Sequence, residues 1–122
     1  MNGVDFLADT NFLIYLLEGN AEASLFAHYT FAISSITEIE LLGKYFISEK
    51  EKRVIKKLIK NCLVLEMNDS IKNRAIELKQ TTKIKLPDAV IAATAICHHL
   101  TILTADKGFT KLKNLNIVLL EV

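Results

Sequence analysis

The sequence predicts a three-layer α/β/α sandwich around a mostly parallel central sheet, with residues 1–122 as one domain. Short apolar runs alternate with helical periods from one end of the chain to the other. No repeat, low-complexity tract or linker breaks that alternation. With 51% hydrophobic residues and a mean hydropathy of +0.29, 122 residues suffice to fill a sizeable core. In sheets of this kind functional groups gather beyond the carboxyl ends of the strands.

Composition also narrows function. Fifteen basic and 14 acidic residues give a net charge of +1, so any nucleic-acid binding must come from local patches and not from a global excess. The start, MNGVDFLADTN, lacks a basic segment followed by a long apolar region, which makes a poor secretory signal, and the apolar stretches are too short or interrupted to span a bilayer. Cys62 and Cys97 sit inside apolar runs without metal-type spacing, as buried free thiols in a reducing cytosol do. The expected location is cytoplasmic, without a membrane.

Val4 to Ala8 (VDFLA) reads as a strand, and Phe12, Leu13, Leu16 and Leu17 recur at helical spacing until Gly19, so Asp9 falls at the strand's carboxyl end. Thr10 or Asn11 is placed to cap the helix, and capping alone is one account of Asp9-Thr10-Asn11. Residues 21–29 are weakly helical, and Thr30 to Ser34 suggests a second strand. Ser34 and Ser35 open a helix through ITEIELLGKYFI, in which Ile36, Ile39, Leu42, Gly43, Phe46 and Ile47 share one apolar arc. Glu40 falls at the edge of that arc, one turn before a glycine that would clear space. On spacing alone Glu38 is an equal candidate, and a solvent-facing flank is the plain account of Glu40. Apolar residues from Ile33 to Ile47 offer a dimer surface.

Ser48 to Asn61 puts Val54, Ile55, Leu58 and Ile59 on one helical face and Lys50, Lys52, Arg53, Lys56, Lys57 and Lys60 largely on the others. That charge run is either a solvated face or a surface that holds phosphates. Cys62 to Met67 reads as a third strand and Ser70 to Thr81 as an amphipathic helix. Pro87, the only proline, and Asp88 form a standard helix opening, so dipole complementarity is by itself an account of Asp88. The helix that follows, Ala89 to Cys97, is apolar on every side and should be buried. His98 and His99 point about 100° apart with no patterned third ligand, which makes them a helix C-terminal feature and not a zinc site. Thr101 to Ala105 reads as a fourth strand, ended by the turn Asp106-Lys107-Gly108, and Asn116 to Val122 as the last.

Asp9 and Asp106 thus follow strands at one sheet edge, while Asp88 and Glu40 lie on helices able to face it. Each acid has a bland explanation singly. Together they are a set of oxygen donors without His or Cys, which suits Mg²⁺ or Mn²⁺. Two carboxylates about 4 Å apart repel by roughly 4 kcal/mol at an effective dielectric near 20, so such a cluster cannot stay fully ionised without a cation. A divalent ion removes that repulsion and can activate water for attack on a phosphodiester.

FLADTNFLIYLLEG resembles the opening motif of PIN domains, with Asp9 as its first acid and Thr10 and Asn11 in its polar pair. SSITEIELLGKY is similar to the segment that carries the family's glutamate and selects Glu40 over Glu38. LPDAVIAATA, with Asp88, and LTADKGF, with Thr104 and Asp106, are similar to the two remaining motifs. The resemblance runs in order over essentially the whole chain. It implies a metal-dependent endoribonuclease, most specifically a VapC-like toxin of a toxin–antitoxin pair. It further implies that Asp9, Glu40, Asp88 and Asp106 hold one or two Mg²⁺ or Mn²⁺ ions, with Thr10, Asn11 and Thr104 orienting ligands or waters behind them. A homodimer, an RNA substrate and a small antitoxin that blocks the site with a basic residue belong to the same implication. This chain departs from many relatives before Asp88, where Lys83 and Lys85 stand in place of an arginine and a glycine.

Two other readings differ in kind. A receiver-like signalling domain shares the length and the acids at strand ends, but it carries a tandem acidic pair after the first strand, where this chain has Asp9 alone, and a phosphorylated Asp after the third, where this chain has Met67-Asn68-Asp69. A catalytically silent PIN fold, kept as an RNA- or protein-binding module, has no need of all four acids.

Overall fold

In the strands, side chains alternate between the two faces of the sheet, and the burial of adjacent residues on opposite sides explains why these runs are mostly apolar without alternating. Leu7, Ala32 and Ile102 enter one core, and their neighbours Ala8, Ile33 and Leu103 enter the other. The computed structural model describes residues 3–122. Its five strands are β1 (Phe6–Ala8), β2 (Phe31–Ser34), β3 (Leu63–Leu65), β4 (Ile102–Thr104) and β5 (Ile117–Leu119). They form one sheet in the order β3-β2-β1-β4-β5, and every pairing is parallel.

The helices are α1 (Thr10–Leu17), α2 (Ala21–Ser24), α3 (Ser35–Leu42), α4 (Glu49–Lys60), α5 (Asp69–Thr81) and α6 (Leu86–His98), with a 3-10 turn over Lys107–Lys111. On one face α6 lies against the sheet, and residues Ala89 to Ala95 are all buried, as its uniformly apolar surface requires. Outside it packs α5, through Ile71, Ala75 and Leu78. Phe12 and Leu13 of α1, Ala23 of α2, and Ile55 and Ile59 of α4 fill the other face. His99 ends α6 in the left-handed conformation, and both histidines are accounted for as its terminus. No helix is long and apolar enough to cross a membrane among the described residues.

The order places β1 at the centre, with the chain winding first toward β3 and then, from β4, in the opposite direction. The carboxyl ends of β1 and β4 therefore flank the point where the winding reverses, the position at which parallel sheets open a crevice.

The helix expected to run from residue 36 to residue 47 stops at Leu42. Gly43 caps it, donating its N–H to the carbonyl of Ile39 at 2.7 Å. Five residues further on, Ser48 starts α4 by accepting from the Glu51 N–H at 3.0 Å, with the Glu51 carboxylate returned to the Ser48 hydroxyl, a reciprocal cap that needs the chain to have left the helix. The expected apolar arc is consequently not made. Ile39 is 64% exposed, Tyr45 and Phe46 are each 85% exposed, and Ile33 is wholly buried inside the sheet and cannot serve a dimer surface. Gly43 does not clear space beside Glu40 either. A Cβ there would stand 2.5 Å from the Ile39 carbonyl oxygen, so glycine permits the tight closure of the helix itself. Replacing Gly43 by Ala should cost about 1–2 kcal/mol and lower Tm by about 4–8 °C, as thermal unfolding would read, and an unchanged Tm would refute the steric argument.

Candidate active site

Asp9 is the residue around which the crevice is assembled. Its N–H donates to the Leu103 carbonyl at 3.2 Å, tying the end of β1 to β4. Its side chain, not that of Thr10 or Asn11, caps α1: Oδ1 accepts from the Phe12 N–H at 2.8 Å. The capping explanation accounts for that one oxygen. The other accepts from the Thr104 hydroxyl at the end of β4, and Thr104 Oγ1 in turn accepts from the Asp106 N–H at 2.9 Å. One buried hydroxyl thus links the acid after β1 to the acid after β4. Asp106 caps the 3-10 turn by accepting from the Gly108 N–H at 2.8 Å.

On the helical side Thr10 donates to Glu40 Oε1 at 2.7 Å and lies 3.1 Å from the hydroxyl of Thr37, which is fully buried. Glu40, three residues after Thr37, shares its face of α3. That pairing, a buried threonine one turn before an acid, is a signal the sequence carries but periodicity of apolar residues does not pick out. Asn11 is exposed and enters none of these bonds.

Asp88 stands in the first turn of α6, where no side chain caps the helix. A helix N-terminus lowers the pKa of an acid, yet Asp88 is held above the usual carboxylate range, by partial burial and then by the charges of Asp106 and Glu40, against the opposing pull of Lys85. Asp9 is pushed up to about 6, chiefly by burial, with Asp106 and Asp88 adding to the effect and the Thr104 and Phe12 bonds opposing it. Asp9, Glu40, Asp88 and Asp106 therefore share one electrostatic neighbourhood. Among the described residues no three acid, His or Cys side chains close into a ready-made cage for an ion. The donor set nevertheless fits a hard divalent cation: all oxygen, mutually repelling, and partly desolvated. Beside it, Lys83 and Lys111 line a cavity of about 120 Å³ together with Asp88 and Gly108.

Comparison with known proteins identifies the family and the fold. A family model described as "PIN domain" matches residues 6–115, and the chain belongs to the PIN-domain family. The fold is similar to that in a toxin–antitoxin complex from Klebsiella pneumoniae, at 33% identity and a TM-score of 0.78 over 93% of this chain and 96% of that one. It is also similar to a DNA-bound VapBC from Salmonella typhimurium (25% identity, TM-score 0.81, covering 94% and 97%). VapBC2 of Rickettsia felis, bound to a promoter DNA fragment, shares the fold at 22% identity, with a TM-score of 0.82 and coverage of 97% and 100%. No curated protein matches the sequence.

The raised pKa of Asp9 has a thermodynamic consequence. Its ordinary value is 3.8, so below about pH 4 folded and unfolded chains both hold the proton and the carboxyl costs the fold nothing. As pH rises through about 6 the folded state must bury a charge, and that stability is lost. Without metal, Asp9→Asn should therefore stand about 1–2 kcal/mol below the parent near pH 4, where only its altered bond to Thr104 counts, and exceed it at pH 7. The full linkage is about 3 kcal/mol; because the amide offers Thr104 an N–H where an oxygen stood, the expected gain is about 1–2 kcal/mol. Melting in EDTA from pH 4 to pH 8 measures it, and parallel curves for the two proteins would refute the assignment.

Proposed function

We propose that this protein is a metal-dependent endoribonuclease and the toxin of a toxin–antitoxin pair. The single observation that carries the reading is the electrostatic neighbourhood that four carboxylates share, with Asp9 and Asp88 each held above the ordinary range partly by the charge of other acids of the set. Helix-dipole complementarity alone would lower the pKa of Asp88, whereas burial and the charges of Asp106 and Glu40 raise it.

Asp9, Glu40, Asp88 and Asp106 would hold Mg²⁺ or Mn²⁺, one or two ions. Bound there, the ion would activate water and offset charge on a phosphodiester during in-line attack. The chain's own residues have definite tasks. Thr104 orients the Asp9 oxygen that does not cap α1, Thr10 orients Glu40, and the buried hydroxyl of Thr37 sets Thr10 in turn. Burial of Asp9 keeps water from competing for its carboxylate. Lys83, Lys85 and Lys111, around Asp88, supply positive charge to a phosphate backbone.

The toxin role rests on similarity to toxin–antitoxin complexes. A cavity of about 590 Å³ between α1, α3 and α4, with Ile14, Leu17 and Val54 among its walls and Glu40 on its lining, suits a segment of antitoxin that reaches the acids. A cytoplasmic location and a homodimer complete the reading.

Purified protein incubated with a mixed cellular RNA pool and Mn²⁺ should cut it, and should stop on addition of EDTA. Asp9→Asn and Asp88→Asn should each reduce the rate at least about a hundredfold while remaining folded. Undiminished cleavage by either variant would end the assignment. Binding of RNA without cleavage by the parent at any metal concentration would favour the silent binding module.

A further inference from the structure

The turn between α3 and α4 exposes two aromatic rings that no part of the fold uses. Tyr45 and Phe46 are each 85% exposed, and their ring centroids stand 4.4 Å apart with planes tilted by 53°. Phe46 has φ of +55°, a conformation disfavoured for any residue with a Cβ. Here the strained residue is presented to solvent. Strain retained at an exposed position points to a function outside the fold.

What surrounds the pair selects the partner. Along α4, Lys50, Arg53, Lys57 and Lys60 recur at intervals of three and four residues, so they fall within one arc of about 80° and form a stripe about 15 Å long. None of the four has an acid within ion-pair distance among the described residues, whereas the acids of that neighbourhood, Glu49 and Glu51, are taken by Lys52 and Lys44. The stripe is therefore a net positive surface. It is also continuous with the candidate site, because Lys50 lines the same cavity as Glu40. Exposed rings beside an unneutralised basic track are the combination that binds single-stranded nucleic acid: the rings stack on bases irrespective of sequence, and the cations follow the backbone. A duplex, whose bases are already stacked on one another, has no use for the rings.

We infer that Tyr45 and Phe46 form a base-stacking platform for single-stranded RNA, which runs from there along the Lys50–Arg53–Lys57–Lys60 face of α4 while its scissile segment lies at the acid crevice. The inference rests on the ribonuclease reading and adds to it where the substrate strand is held. Tyr45 and Phe46 are positioning residues, remote from the bond that breaks.

The test uses single-stranded RNA of mixed sequence with 2-aminopurine in place of several adenines, titrated with Asp9→Asn protein so that the strand is not cut. The fluorescence should be quenched on binding. Tyr45→Ala with Phe46→Leu should weaken binding about five- to a hundredfold and remove most of the quenching, at an unchanged Tm. Phe46→Tyr should keep both, since the ring and not its hydrophobicity is what acts. In the otherwise active protein the same pair of changes should raise KM and leave kcat nearly unaltered. Replacing Lys50, Arg53 and Lys57 together by Gln should lower the slope of log affinity against log salt by about 2, and the aromatic variants should leave that slope as it is.

If the aromatic variants bind and cut like the parent, the platform is refuted and the ribonuclease reading stands. If they keep RNA affinity but lose self-association or capture by an antitoxin, the rings serve a protein contact and the inference is equally overturned. A parent protein that neither binds nor cuts RNA would refute both.

Discussion

The hydroxyl of Thr104, held between the carboxylate of Asp9 and the backbone N–H of Asp106, is the contact on which the site depends. It exists because β1 and β4 are parallel neighbours in register, Ala8 opposite Leu103, so that the residues just beyond them emerge side by side. Nothing local to either segment produces it: the two partners are 95 residues apart. The same sheet position makes Asp9 expensive to ionise, since the carboxylate is only 2% exposed and is satisfied by two neutral donors, with no basic partner.

That cost gives the fold its chemical character. A carboxylate so placed serves stability poorly unless a cation is present, and its neighbours Asp88 and Asp106 raise the cost further. The surrounding structure is built to bear it. Helix α6, buried from Ala89 to Ala95, anchors Asp88 on one side, and α1 anchors Thr10 on the other, with α3 touching both layers so that Glu40 closes the group. Among the described residues no lysine or arginine is in hydrogen-bond contact with any of these acids, so their mutual repulsion is not relieved by a basic partner.

The α3–α4 connection follows a different logic. There the chain gives up an apolar helical period that could have been buried and exposes Tyr45 and Phe46 instead. Two strong local signals, the glycine after Leu42 and the Ser48–Glu51 cap, override the weaker pull of periodicity. The result is a short aromatic turn set between an acid of the crevice and a basic helix, so that attraction for a polyanion and the centre that would act on it are neighbours in space as well as in sequence.

Much of this was legible in the sequence alone. Short apolar runs and 3.6-residue periods locate the strands and, apart from the early end of α3, the helices within a few residues, because burial is a local demand written into each segment; the all-apolar run after Pro87 identifies a central helix for the same reason. Motif order likewise singles out Asp9, Glu40, Asp88 and Asp106. Several things were decided only by tertiary structure. Whether Asp9, Thr10 or Asn11 caps α1 turns on the geometry of the strand's exit. The partnership of Thr10 with Glu40 and Thr37, and of Thr104 with Asp9, depends on which elements become neighbours. Amino-acid order determined which groups the protein owns and the secondary structure that carries them. The parallel register of β1 with β4 and the placement of α3 across both layers decided which groups meet, because long-range proximity is a property of packing that no local pattern encodes.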